Sequence, residues 1–356
     1  MLSPERVAAL LRDQAGACAA FGSPLYAGLL TRAAEDAEAG GIVFALLTPF
    51  GDPNARADAL ALRLMAAVHR LVLCGDAPSL GRFYPSIGGG SDDGVGDAWP
   101  VFRQVLVDHR DRLPALISLP CQTNEVGRAA ALIFGFFEIA ATTRLPLRLL
   151  EIGASAGLNL RFDRFRYGGG GAEWGDPGSP VDLRGLWREA PRVMPASVDV
   201  PVTERRGCDP RPLDPRSTED RLALQAAVWA DQVERFSRLR GALDIAAAVP
   251  AAVDLASVDE WLPRQLATST PGQATVVYHS IVQEYFAESV RRAFHACLAE
   301  AGARASADAP LFWLRLEPRT DDDVLRYQLS LTSWPSGDER VIAWAGPHGT
   351  DVRFSP

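Results

Sequence analysis

Between residues 4 and 141 apolar side chains recur at spacings of three and four, and almost no strand-like alternation interrupts them. That is the period of helices burying one face, and it predicts helices over residues 4–21, 24–39, 57–74, 99–119 and 126–142. Turn-forming stretches separate them: Gly22-Ser23-Pro24, Pro49-Phe50-Gly51-Asp52-Pro53 and the polar loop Gly88-Gly89-Gly90-Ser91-Asp92-Asp93-Gly94. Glycine, proline and short polar side chains favour non-helical backbone there. Residues 1–144 are expected to form a helical bundle or cap.

The texture changes at Leu145-Pro146, after which short apolar runs alternate with helical periods, as repeated βα units do in a parallel sheet. Strands are expected over residues 147–152, 202–207, 252–255, 275–279 and 311–316, and helices over 157–165, 218–248, 258–267 and 287–302. Residues 324–332 and 340–345 alternate strongly around Trp334-Pro335-Ser336-Gly337-Asp338, which predicts an antiparallel hairpin. The Gly-, Pro- and Arg-rich stretch 168–197 is long for a loop and is expected to fold over the sheet's edge as an insertion. The expected fold is α/β: residues 145–356 form a Rossmann-like, mostly parallel sheet with an antiparallel C-terminal hairpin, preceded by the all-helical region.

In Leu147-Arg148-Leu149-Leu150-Glu151-Ile152-Gly153-Ala154-Ser155-Ala156-Gly157-Leu158-Asn159 an apolar strand runs through an acid and small residues into a helix. Small residues let the backbone turn sharply and admit a ligand to main-chain N–H groups, and a helix N-terminus favours polar or anionic groups. The pattern acid-x-Gly-x-Ser-x-Gly resembles the first motif of S-adenosylmethionine-dependent methyltransferases, commonly acid-x-Gly-x-Gly-x-Gly, with Ser155 where the second glycine usually lies. Two other readings stay open. A tight strand-to-helix turn needs no ligand at all. Gly153-Ala154-Ser155-Ala156-Gly157 is also G-x-S-x-G, the nucleophile elbow of α/β-hydrolases, with His279, His295 and His348 downstream in the order a triad needs. Against that elbow, this is the first strand rather than a mid-sheet one. No His-Gly-Gly type oxyanion loop precedes it either, since Gly88-Gly89-Gly90 follows Ile87 in a polar loop.

In Rossmann-like sites an acid ending the second strand accepts hydrogen bonds from ribose hydroxyls. Asp209 closes Val202-Thr203-Glu204-Arg205-Arg206-Gly207-Cys208-Asp209 and is the candidate, unless it merely begins the turn at Pro210. Its distance from the first motif exceeds the usual spacing, and the 168–197 insertion accounts for the excess. Asp254, ending the third strand, is the candidate for the adenine side; Asp259 fits the first turn of a helix, where the macrodipole favours acids. The fourth strand ends in Tyr278-His279-Ser280, followed by Glu284 and Tyr285. His279 is there the candidate general base or substrate contact, with Tyr285 as a second catalytic candidate, although a lone histidine is more often structural. Pro120-Cys121-Gln122-Thr123-Asn124-Glu125-Val126-Gly127-Arg128 packs polar groups before an apolar helix. Either Asn124 caps that helix and Arg128 pairs with Glu125, or Gln122, Asn124, Glu125 and Arg128 form a polar lid on the substrate side.

Composition narrows the partners. The 356 residues are 47% hydrophobic and 22% charged, ordinary globular values. Lys plus Arg total 36 against 44 acids, a formal charge of -8, which argues against a nucleic-acid partner because phosphate neutralisation needs a basic face. The five cysteines are scattered and include no C-x-x-C pair, so neither a disulfide framework nor a zinc site is indicated. The N-terminus lacks a secretory pattern and no charge-free run of about 18 apolar residues occurs. A cytoplasmic protein acting on a small molecule, with no membrane partner and no metal, is expected.

Gln122-Thr123-Asn124-Glu125-Val126-Gly127-Arg128, Leu150-Glu151-Ile152-Gly153-Ala154-Ser155-Ala156-Gly157-Leu158-Asn159, Arg206-Gly207-Cys208-Asp209 and Val277-Tyr278-His279-Ser280, with Phe21-Gly22-Ser23-Pro24-Leu25-Tyr26 and Pro347-His348-Gly349, resemble a bacterial family catalogued as domain of unknown function 2332. Gln283-Glu284-Tyr285 departs from a Trp-Gln-Tyr run associated with that family. The resemblance spans nearly the whole chain and implies a methyltransferase-like fold behind a helical region, without an assigned reaction. On this reading S-adenosylmethionine is the cofactor. Glu151 orients its amino-acid end, Gly153 and Gly157 admit its approach, Asp209 holds the ribose, and Ser155, Asn159, Asp254 and Ser280 complete the cofactor side. His279 accepts a substrate proton during methyl transfer to oxygen or nitrogen. A domain that binds the cofactor or another nucleotide without chemistry is the alternative.

Overall fold

The computed structural model describes residues 2–50, 59–90, 94–193, 198–321 and 324–354. Four stretches of the sequence reading lie outside them: residues 51–53 of one turn, 57 and 58 at a helix start, 91–93 of the polar loop, and 194–197 of the insertion. The chain divides into two compact units, the first comprising residues 1–123 and 218–237, the second 124–217 and 238–356.

The first unit is helical: α1 (Pro4–Ala20), α2 (Pro24–Glu38), α3 (Ile42–Leu47), α4 (Leu60–Leu73), α5 (Pro78–Gly81), α6 (Gly94–Asp108) and α7 (Leu113–Ile117). Ser3 caps α1 by accepting from the Arg6 N–H at 3.3 Å, and proline opens α1 and α2, where its missing N–H costs nothing. The single helix expected over 99–119 is two, because Pro114 fits only a first turn and the helix restarts there as α7. The helices α3 and α5, six and four residues long, are too short to build a periodic signal. One apolar core joins α1, α2, α4, α6 and α7, and it includes Trp229 and Ala230 from far along the chain.

The second unit is built on an eight-stranded sheet whose members are β1 (Leu147–Ile152), β5 (Val202–Asp209), β6 (Ala252–Leu255), β7 (Ala274–Ser280), β8 (Leu311–Asp321), β9 (Val324–Trp334), β10 (Asp338–Ala345) and β11 (Arg353–Phe354). Their order is β11-β10-β9-β8-β7-β1-β5-β6. Strands β6, β5, β1, β7 and β8 are parallel, and β8 to β11 form an antiparallel meander. The expected hairpin is therefore the middle of a longer antiparallel run. β1 is buried along its whole length, as a central parallel strand must be.

Helix α8 (Ala129–Thr143) belongs to this second unit. With its preceding turn it is apolar enough to cross a bilayer, but 72% of residues 126–143 are buried, which makes it a core helix. On one side of the sheet Leu150, Ile152, Cys208 and Val277 pack with α11 (Val258–Gln265) and α12 (Glu288–Gly302). On the other, Tyr278 meets Phe136 of α8 edge-on, and Phe136 stacks on Phe162 at 4.0 Å.

Three expectations change. The insertion expected over 168–197 has strands of its own and starts slightly earlier: β2 (Arg166–Gly169), β3 (Ala172–Gly175) and β4 (Asp182–Trp187) form a three-stranded sheet in the order β3-β2-β4. It is tied to the C-terminal edge by a bridge from Trp187 to Val352. The helix expected over 218–248 breaks into α9 (Thr218–Ala227) and α10 (Val233–Ala248), since Asp231 between them accepts from Ser23 Oγ at 2.5 Å and the Leu25 N–H at 3.0 Å. The helix after the glycine turn is a 3-10 stretch, Leu158–Arg164, kinked at Arg161.

Candidate functional site

The chain goes from β1 outward to β5 and β6, then returns to the other side of β1 for β7 and β8. The switch point lies between β1 and β7, and ligands of open α/β sheets bind outside the carboxyl ends of strands at such a point. Register brings the relevant residues level. Glu151 pairs with Gly207 on one side and Tyr278 on the other, while Cys208 pairs with Asp254 and His279 with Arg315.

The turn leaving β1 carries three left-handed residues, Gly153 (φ 66°), Ser155 (φ 54°) and Gly157 (φ 64°). Glycine bears this conformation freely, whereas serine is strained in it. Glycine is also required for space: a Cβ at Gly153 would stand 2.7 Å from Val282, and one on neighbouring Gly207 2.6 Å from Ala154. Arg161 folds back beneath the turn, donating to the carbonyls of Gly157 (2.6 Å), Ala156 (3.3 Å) and Val249 (3.0 Å), which explains the kink at its own position. That buried guanidinium was not singled out in the sequence, because one arginine in a short helix gives no sign that it turns inward.

Asp209 and the glycine turn converge. The Ser155 N–H donates to Asp209 Oδ2 at 2.9 Å, and Asp209 Oδ1 accepts from the Arg211 N–H at 2.7 Å. The acid thus also begins the local turn. Glu151 is 3% exposed and accepts from the Tyr278 hydroxyl at 3.2 Å. Burial pushes its carboxyl up to about 8, against the pull of Tyr278 and Arg161 and with a smaller push from Asp209. At neutral pH it is chiefly a neutral hydrogen-bonding group.

Asn124 caps not its own helix but the one after the turn, accepting from the Leu158 N–H at 3.1 Å. Asn159 donates to the Glu125 carbonyl at 3.2 Å, and Glu125 accepts from the Gly127 N–H at 3.1 Å. Arg128 donates to the Pro347 carbonyl (3.0 Å) and to the Ser280 carbonyl (3.1 Å), joining the start of α8 to the end of β7. Gln122 falls in the first unit, apart from these three in the chain's division.

Among the described residues, Ser155 Oγ and Asn159 Oδ1, on residues 3% and 2% exposed, have no hydrogen-bond partner. Buried polar atoms are rarely left so. Beside the left-handed backbone, they give the turn the character of a cradle for a polar ligand.

Two predicted residues are occupied otherwise. Asp254 accepts from Arg206 (2.8 Å) and Trp261 (2.6 Å), so its carboxylate is engaged within the protein. His279 is fully buried, its Nδ1 2.7 Å from Glu317 Oε1 and its Nε2 accepting from the Trp313 indole at 3.0 Å. Both ring nitrogens are engaged, so action as a base requires Trp313 to let go. Tyr285 is 68% exposed in a short 3-10 turn after β7. Glu317 was missed in the sequence because a single acid on an alternating strand reads as solvent-facing; only the parallel pairing of β7 with β8 turns it onto His279.

Glycine-rich turn, second-strand acid and unpartnered polar atoms thus meet at the switch point of a mostly parallel α/β sheet. The chain belongs to the bacterial family described as "Uncharacterized protein conserved in bacteria (DUF2332)", whose model matches residues 8–354. No curated protein and no solved structure matches it.

Proposed function

We propose that the second unit is a Rossmann-like domain binding S-adenosylmethionine at the 153–157 turn and directing methyl transfer to an oxygen or nitrogen of a small molecule. The observation that carries this reading is the Ser155 N–H to Asp209 hydrogen bond of 2.9 Å, which joins the first-strand turn to the second-strand acid at the switch point. The unpartnered Ser155 Oγ and Asn159 Oδ1 fit a ligand rich in hydroxyl and amino groups. Bound there, the cofactor supplies a methyl group already activated by its sulfonium, so the protein chiefly needs to orient reactants and exclude water. In this reading Gly153, Ser155 and Gly157 form the cradle, Glu151 and Asn159 receive polar groups, and Asp209 shares its oxygens with the ribose. A net charge of -8 favours a small substrate over nucleic acid.

Two observations support rivals. The engagement of both His279 nitrogens favours a domain that binds the cofactor without chemistry. The left-handed Ser155 has the strained backbone of a nucleophile elbow, but among the described residues its hydroxyl has no hydrogen-bond partner, so none acts as its base. Calorimetry with S-adenosylmethionine tests the leading reading: heat of binding and a raised melting temperature are expected, and neither appearing would reject both cofactor readings. Binding without methyl loss across a panel of acceptors would favour the sensor, and ester cleavage abolished by Ser155→Ala the hydrolase.

A further inference from the structure

The turn after β7 leaves the strand beside β1, across the switch point from the 153–157 turn, and its backbone is unusual. Ile281 is left-handed at φ 56°, a conformation that a β-branched residue rarely adopts. The next residue, Val282, stands against Gly153, where a Cβ would come within 2.7 Å. Three main-chain N–H groups hold this turn. Ile281 donates to the Leu316 carbonyl at 2.8 Å, while Val282 and Gln283 donate to Glu317 Oε1 at 3.0 and 3.4 Å. The same oxygen lies 2.7 Å from His279 Nδ1.

A carboxylate only accepts and an indole N–H only donates. Glu317 on one side and Trp313 on the other therefore specify a single neutral tautomer of His279, protonated on Nδ1 with Nε2 accepting. Burial raises the Glu317 carboxyl, but His279 and the Val282 and Gln283 N–H groups outweigh it and leave the group below its ordinary value, which keeps it an acceptor.

We propose that Glu317 is the positioning residue of this site: one buried carboxylate oxygen both holds the Nδ1 proton of His279, opposite Trp313, and pins the 281–283 turn, with its left-handed Ile281, against Gly153. The part of the proposal that concerns ligand affinity rests on the cofactor reading above; the control of His279 and of the turn does not.

The test compares Glu317→Gln and Glu317→Leu in the full chain, with Leu314→Ala as a control. Leu314 is a fully buried residue on the same strand, so its truncation lowers stability without touching His279. Nitrogen-15 spectra of histidine-labelled protein, assigned with His279→Asn, report which ring nitrogen is protonated, and the backbone amides of Val282 and Gln283 report the turn. Glutamine keeps an acceptor oxygen, so Glu317→Gln should retain the Nδ1-protonated form. Glu317→Leu leaves the Nδ1 proton without its acceptor while Trp313 still donates to Nε2, so it should shift the Nδ1 resonance and the Val282 and Gln283 amides and weaken S-adenosylmethionine binding on the order of tenfold, and Glu317→Leu combined with Trp313→Phe should give mixed tautomers. Leu314→Ala should lower the melting temperature and leave tautomer, amides and affinity unchanged. An unaltered His279 spectrum in Glu317→Leu, or the same losses in Leu314→Ala, would overturn the proposal. If the unmodified protein fails to bind S-adenosylmethionine, the cofactor reading falls, and the spectra still decide the part played by Glu317.

Discussion

The main-chain N–H of Ser155 and the carboxylate of Asp209, residues on separate strands' ends, meet at 2.9 Å, and the second oxygen of Asp209 takes the Arg211 N–H. One side chain thereby holds the shape of two turns. Asp209→Ala leaves both N–H groups without their acceptor and should cost about 1–3 kcal/mol of stability. Asp209→Asn keeps one oxygen and should cost less, and on the proposed cofactor reading it should weaken S-adenosylmethionine binding through loss of charge. Urea denaturation and calorimetry on the pair check this; equal stability of Asp209→Ala and the unmodified protein would mean that the turns hold without it.

The strain at Ser155 predicts a stabilising change. Ser155→Gly frees the left-handed backbone at φ 54° and removes a buried hydroxyl without a partner, and should add about 1 kcal/mol. Ser155→Ala removes the hydroxyl but keeps the strain, so it should fall below Ser155→Gly in denaturation midpoint. The reverse ranking would place the constraint elsewhere than in the backbone.

Glu151 predicts a pH dependence with a definite sign. Its carboxyl titrates near the ordinary value of 4.5 when unfolded and near 8 when buried, so below about 4.5 both states hold the proton. Between those values the unfolded chain releases a proton that the folded protein keeps, and stability declines as pH rises, levelling above about 8. Glu151→Gln abolishes that decline. Its advantage over the unmodified protein should grow from near nothing at acid pH to the order of a few kcal/mol at alkaline pH. A difference independent of pH, measured by urea denaturation at several pH values, would show that Glu151 is ionised in the fold.

Gly127 lies against the backbone carbonyl of His348, and Gly349 against that of Gly127. Gly127→Ala should therefore push residues 347–349 off the start of α8 and break the Arg128 hydrogen bond to Pro347 while leaving the one to Ser280. Hydrogen exchange should quicken at Gly349 and leave β1 protected. Protection unchanged at Gly349 would contradict the close packing.

Much of this unit was legible in the chain. β1 and β6 occupy the residues their apolar runs predicted, and β5, β7 and β8 extend those runs by one to several residues. The place of Asp209 at the end of β5 was legible despite the insertion, because an acid closing a strand is read without reference to spacing. What escaped depends on contacts distant in sequence. The strands within the insertion are short and glycine-broken, so their alternation never accumulates. The break between α9 and α10 exists because Asp231 serves the start of α2. Arg161, Trp313 and Glu317 acquire their parts from folding back or from strand pairing, neither of which a local pattern records.

The first unit takes Trp229 and Ala230 into its core and uses Asp231 to hold the start of α2. During synthesis residues 124–217 leave the ribosome before that segment emerges. The helices of residues 2–123 therefore wait, incomplete, while most of the intervening chain emerges, with the apolar surface meant for Trp229 exposed to whatever else is present. A product cut after residue 123 should not behave as an independent domain, and the interval before residue 237 appears is when this protein has most need of a chaperone.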